Sequence, residues 1–161
     1  VKNICFCNST TFWGGGEKLN LDYALEFKKK GYNVFVASHK DSLLFEEAQN
    51  AGIAVFHMEV GSFSFLNPFK INALKSYFVK NEIDTVFFST SEDVKLGAIA
   101  AKKAGIKRIV YLRVLAVRIK NSIVNRTIFR DYVTHIIASS EEVKKLAIQY
   151  LTDKIIRDKV H

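Results

Sequence analysis

Three consecutive glycines and an acid, Gly14-Gly15-Gly16-Glu17, stand between an apolar run, Ile4-Cys5-Phe6-Cys7, and a stretch of helical character that opens at Lys18. A chain that turns from strand to helix at this point presents bare backbone N–H groups. Those amides, with the positive end of the helix dipole behind them, attract an anion such as phosphate or diphosphate. The plainer alternative is that glycine only eases the turn. Glu17 falls in the first helical turn, where the dipole favours a carboxylate whatever the chemistry.

Further polar residues follow apolar runs: Ser38-His39, Ser89-Thr90-Ser91-Glu92, Arg113 and Ser139-Ser140. Arg113 is the strongest of these, because a guanidinium at a strand end pairs well with phosphate or carboxylate. Thr90, Ser91 and Ser139 also fit a second role as helix caps, and His39 fits a surface loop. Arg118, Lys120, Arg126 and Arg130 form a basic segment offset only by Asp131. That segment reads either as a solvated helix face or as a patch for an acidic partner. Cys5 and Cys7, two apart on a strand, share one face, where a disulfide has poor geometry and reduced core thiols are expected. The four histidines show no metal spacing, and no metal is expected.

The elements that must position these groups follow a repeated phrase: a helix end, a glycine, then an apolar β-rich run. Lys28-Lys29-Lys30-Gly31 leads to Val34-Phe35-Val36, Ala51-Gly52 to Ile53-Ala54-Val55-Phe56, and Lys102-Lys103-Ala104-Gly105 to Ile109-Val110-Tyr111-Leu112. Each glycine is placed to end a helix in the left-handed conformation. Ser42 or Asp41, Asn67 before Pro68, and Ser139-Ser140-Glu141-Glu142 mark helix starts. The patterning predicts strands at 2–7, 33–37, 53–58, 84–89, 108–112 and 134–138. Helices are expected near 16–30, 42–51, 68–81, 93–104, 120–131 and 140–151, with irregular stretches at 59–67 and 113–119. Continuous rather than alternating apolar runs belong to strands covered on both faces. Right-handed crossovers then make a doubly wound, Rossmann-like α/β sandwich with a mostly parallel six-stranded sheet in the order 3-2-1-4-5-6.

The 161 residues suffice for one domain with its own core, and 48% hydrophobic with 25% charged residues is a globular balance. No stretch is long and apolar enough to span a bilayer. The sequence enters its first strand without a leader, so a cytoplasmic setting is expected, with peripheral attachment at the inner membrane face if the basic segment engages lipid. The net charge of +8 suits phosphorylated substrates or an anionic membrane surface. Nucleic acid is disfavoured: zinc-finger spacing and an aromatic RNA-binding strand are both missing, and the basic residues are scattered.

Two nucleotide motifs fail at the glycine loop. A dinucleotide fingerprint would need Gly or Ala where Leu19 stands and an acid after the second strand, where the chain has Ala37-Ser38-His39-Lys40. A Walker loop would need Gly-Lys-Ser/Thr. Instead, Gly14-Gly15-Gly16-Glu17, Lys30-Gly31-Tyr32-Asn33-Val34, Ala51-Gly52-Ile53-Ala54-Val55, Ile83-Asp84-Thr85-Val86-Phe87-Phe88, Ala104-Gly105-Ile106 and His135-Ile136-Ile137-Ala138-Ser139-Ser140-Glu141, in that order, resemble the N-terminal domain of family 4 glycosyltransferases of GT-B fold.

That resemblance implies the acceptor-side half of a retaining, hexosyltransferase-type enzyme, inactive alone, with its C-terminal donor domain beyond this chain. The donor would be a nucleotide sugar, used as substrate with no further cofactor, and the acceptor a saccharide or lipid-linked precursor of surface polysaccharide or lipopolysaccharide. It places Gly14, Gly15, Gly16 and Glu17 at the donor diphosphate. Trp13 either stacks on a sugar or closes the loop, and Ser89, Ser91, Glu92 and Arg113 fall at the cleft. The basic segment would dock an acidic acceptor or membrane. The chain departs from the family's usual histidines, with Phe87-Phe88-Ser89 at the fourth strand and Arg113 after the fifth, and no catalytic residue is assigned. The other reading is a non-catalytic Rossmann-like module that binds a phosphorylated small molecule.

Overall fold

A computed structural model describes residues 2–114, 120, 122–150 and 153–161. Its centre is a six-stranded sheet of β1 (Asn3–Asn8), β2 (Asn33–Ser38), β3 (Ala54–His57), β4 (Thr85–Phe88), β5 (Arg108–Arg113) and β6 (His135–Ala138), in the order β3-β2-β1-β4-β5-β6. Every neighbouring pair is parallel, with Cys5 level with Phe35 on one side and Val86 on the other. The expected strand order holds, and the sheet is parallel throughout rather than mostly so.

The alternation of side chains along each strand divides the core in two. Ile4, Phe6, Val34 and Val36 pack under α1 (Gly15–Lys29) and α2 (Leu43–Asn50) with Leu21, Ala24 and Leu44. Cys5, Cys7, Val86 and Phe88 pack on the opposite face with α3 (Pro68–Lys80) and α4 (Ser91–Lys103). Both cysteines are buried and free. Gly97 of α4 lies against the Phe88 ring, where an added Cβ would fall 2.0 Å from a ring carbon.

Local chemistry sets the helix limits. Ser42, Asn67, Thr90 and Ser140 accept capping bonds from downstream amides, and Pro68 takes the first position of α3. Gly31, Gly52 and Gly105 end helices or their following turns at φ +82°, +65° and +81°. The irregular stretch at 59–67 carries one 3₁₀ turn, Ser64–Leu66.

The helix expected at 120–131 is shorter and different. A brief α5 (Ile123–Thr127) widens into a π turn, Ile128–Tyr132. The wide turn is held by Lys159, whose Nζ donates to the carbonyls of Phe129, Arg130 and Val133 at 2.6–2.9 Å. After α6 (Glu141–Tyr150) comes a short α7 (Lys154–Arg157), which the patterning did not indicate. Val160 then forms a parallel bridge to Ile136 at the sheet edge. Most of the stretch at 113–119, including Arg118, lies outside the described residues.

Candidate functional site

The strand order reverses direction between β1 and β4, and ligands of open α/β sheets bind beyond the strand carboxyl ends at such a point. A cavity of about 460 Å³ opens there. The loop after β1 and the first turn of α1 supply Gly14, Gly15, Gly16 and Glu17; the turn after β4 supplies Ser89 and Ser91; β5 supplies Tyr111 and Arg113.

The glycine loop is braced from within. Glu17 reaches back, accepting the Gly14 N–H at 3.0 Å through Oε2 and the Asn8 side-chain amide at 3.1 Å through Oε1. Asn8 in turn accepts the Thr10 N–H at 3.0 Å. Both Glu17 oxygens are therefore committed, and its carboxylate caps the helix in the place of a Gly14 side chain. One turn on, buried Asn20 donates to the Gly16 carbonyl at 2.8 Å and pairs with the Ser89 hydroxyl at 2.8 Å. Among the described residues, the amides of Gly15 and Gly16 meet no acceptor.

None of these three glycines has positive φ; Gly14 is extended at φ −148°, and the next two are helical. A side chain at Gly15 or Gly16 would meet nothing within 4 Å. Glycine in a helical turn costs about 0.5–1 kcal/mol relative to alanine, so easing the turn does not account for Gly15 and Gly16. What they provide is an uncovered pair of amides facing a cavity.

Arg113 completes the wall. It is only 8% exposed, its Nη1 donates to the Tyr111 hydroxyl at 3.3 Å, and its buried Nη2 has no partner among the described residues. No ion pair among the described residues includes it. Below the cavity, Asp93 of α4 is fully buried and accepts both the amide (2.9 Å) and the hydroxyl (2.5 Å) of Ser9. Burial pushes its carboxyl above the usual range, against the lowering effect of those hydrogen bonds.

Two residues expected at the cleft stand elsewhere. Trp13 packs with the core under α1 and α2, while its neighbour Phe12, 74% exposed, puts an aromatic ring beside Gly14 at the cavity. Glu92 faces an adjoining depression with His39 and Glu59, across Thr10, Phe12 and Thr90 from the cavity, and lies 3.8 Å from Lys95. In the basic segment Lys120 and Arg126 are exposed, whereas Arg130 is paired with Asp131 at 2.9 Å. Asn20 and Asp93 were not indicated by the sequence pattern. Their one signal is an uncharged amide or an acid at a helix position whose neighbours one turn later, Ala24 and Leu96-Gly97, continue the buried face.

The profile described as Glycosyl transferase 4-like matches residues 12–143, which include all of the cavity's lining residues except Asn8 and Thr10. The chain belongs to this family. Its fold is shared with HepE from Anabaena, solved with UDP-glucose, at 18% identity and a TM-score of 0.75, over 99% of this chain and 42% of that one. A glycosyltransferase from Rickettsia africae gives 20% identity and 0.75 over the same shares. The lipopolysaccharide outer core galactosyltransferase WaaB gives 14% and 0.66 over all of this chain and 44% of its own. The chain thus spans less than half the length of these structures. No curated protein sequence matches it.

Proposed function

We propose that this glycosyl transferase 4-like chain is the acceptor-side half of a retaining glycosyltransferase of hexosyltransferase type. It would use a nucleotide-sugar donor and a saccharide or lipid-linked acceptor for surface polysaccharide or lipopolysaccharide. The observation that carries this reading is the pair of uncovered amides at Gly15 and Gly16, where glycine serves neither turn geometry nor packing. Amides fixed at a helix N-terminus hold a diphosphate without reorganising as charge develops on the leaving group. Glu17, held by Gly14 and Asn8, keeps its charge on the Gly14 side of the loop and leaves the next two amides to the anion.

The nucleotide-sugar reading draws support from HepE, solved with UDP-glucose, and the acceptor class from WaaB. A second domain carrying most of the donor site is supported by the length of those neighbours, and the chain is proposed to be inactive without it. A cytoplasmic location at the inner membrane face is part of the same proposal.

UDP titrated into the isotopically labelled chain should shift the amide resonances of Gly15 and Gly16 before others. In an enzyme carrying both halves, Gly15→Val should lower turnover by about 100-fold or more while the melting temperature holds, because nothing in the fold occupies that space. Unchanged turnover would remove the loop from the mechanism.

A further inference from the structure

Arg113 holds a buried charge that nothing among the described residues balances. The residue lines the cavity, one guanidinium nitrogen rests on the Tyr111 hydroxyl, and the other is buried with no partner among the described residues. Among the described residues the one carboxylate on the same cavity is Glu17, and both of its oxygens are engaged by Gly14 and Asn8. A desolvated cation left in this way is strongly unfavourable until an anion reaches it. The unengaged Nη2 edge of a planar fork is well shaped for one oxygen pair of a carboxylate or phosphate. The Gly15 and Gly16 amides, on a different element, form a separate attraction for negative charge.

We infer that the cavity selects a sugar carrying an oxyanion of its own, a carboxylate or phosphate, which pairs with Arg113 while the phosphate on the anomeric carbon rests on the glycine-loop amides. The inference rests on the reading of the cavity as a nucleotide-sugar site and adds the class of sugar. Neutral hexoses would leave Arg113 unpaired, whereas acidic sugars, such as uronic acids or 6-phosphosugars, would neutralise it. The Tyr111 hydroxyl fixes the guanidinium and acts as a positioning group.

The test uses three sugar phosphates that differ only at C6: glucose 1-phosphate, glucuronic acid 1-phosphate and glucose 1,6-bisphosphate, with UDP as a fourth probe. Affinities come from NMR titration of the chain, read at Gly15 and Gly16 and at the Arg113 side chain. A charge-assisted hydrogen bond predicts that at least one acidic sugar binds about 10-fold or more tighter than glucose 1-phosphate. Whichever wins identifies the second anion as carboxylate or phosphate. Arg113→Gln should abolish that preference and lower UDP affinity far less than it lowers affinity for the acidic sugars, and Arg113→Lys should retain part of the preference. Equal affinity of the wild-type chain for all three sugars overturns the inference with no variant needed. So does a loss in Arg113→Gln that is as large for UDP as for the acidic sugars, since Arg113 would then serve the phosphate they share. If neither UDP nor glucose 1-phosphate moves the glycine amides, the glycine-loop reading fails, and the C6 comparison still decides the role of Arg113.

Discussion

Asp93 joins two segments far apart in the chain: its carboxylate holds the amide and hydroxyl of Ser9, at the start of the loop that carries the glycines. Thr90, Glu92 and the Cys7 thiol are the polar neighbours that its surroundings place nearby. Because burial raises its carboxyl, the folded protein holds this proton more tightly than the unfolded chain does. Its stabilising contribution is therefore full below the ordinary carboxylate range, about pH 4, and is lost as pH rises through the higher folded-state value. Asp93→Asn can still accept the Ser9 amide and cannot titrate. Urea unfolding across pH 4–7 should show the variant gaining on wild type as pH rises; parallel curves would refute the assignment. Asp93→Ala removes the acceptor of a partly buried amide and should cost about 1–3 kcal/mol throughout.

Glycines also separate structure from function at the level of helices and strands. Gly97→Ala drives a methyl into the Phe88 ring and should cost about 1–3 kcal/mol, read as a lowered melting temperature. Gly15→Ala, in open space on a helical turn, should be neutral or stabilise by up to about 1 kcal/mol. A comparable loss in both would mean that Gly15 has a packing role the structure does not show. Much at this scale was legible beforehand. Lysine-rich helix ends before Gly31 and Gly105, the Asn67-Pro68 pair and continuous apolar runs each report on contacts within a few residues. The strand order followed because crossover handedness leaves few alternatives. The π turn at 128–132 was not legible, since it depends on Lys159, about thirty residues later. Asn20 and Asp93 escaped for the same reason: Ser89 and Ser9 meet them only in the folded chain. Trp13, beside the glycines, fits either a sugar platform or a loop closure by sequence; the loop's path turns it to the core and Phe12 to the cavity, which depends on packing that the local sequence does not report.

Across the whole molecule, a net charge of +8 is spread so that only some cations remain unbalanced at the surface. Arg130 is matched by Asp131, which leaves Lys120 and Arg126, among the described residues of the basic segment, as the exposed charges outside an ion pair. If that segment docks to an anionic surface, a Lys120→Gln and Arg126→Gln double variant should weaken co-sedimentation with phosphatidylglycerol vesicles. Arg130→Gln alone should change it little. The difference should fade at high salt, because exposed charges are screened within about 8–10 Å at physiological ionic strength. Equal vesicle binding by wild type and the double variant would leave the segment as a solvated face.

The bridge at Val160 also gives the molecule a mechanical character. Three hydrogen bonds, Ile136 N–H to Lys159, His161 N–H to Ile136 and Ala138 N–H to His161, lie side by side along β6 at 2.8–2.9 Å. Lys159 anchors the same segment to the π turn. A pull on His161 along the strand loads these bonds in shear, so they share the force instead of parting one after another. Load on this segment passes into β6, whose parallel partner β5 carries Arg113 level with Ala138. Residues 159–161 thus lie along β6 as a side-on bonded segment rather than a free end.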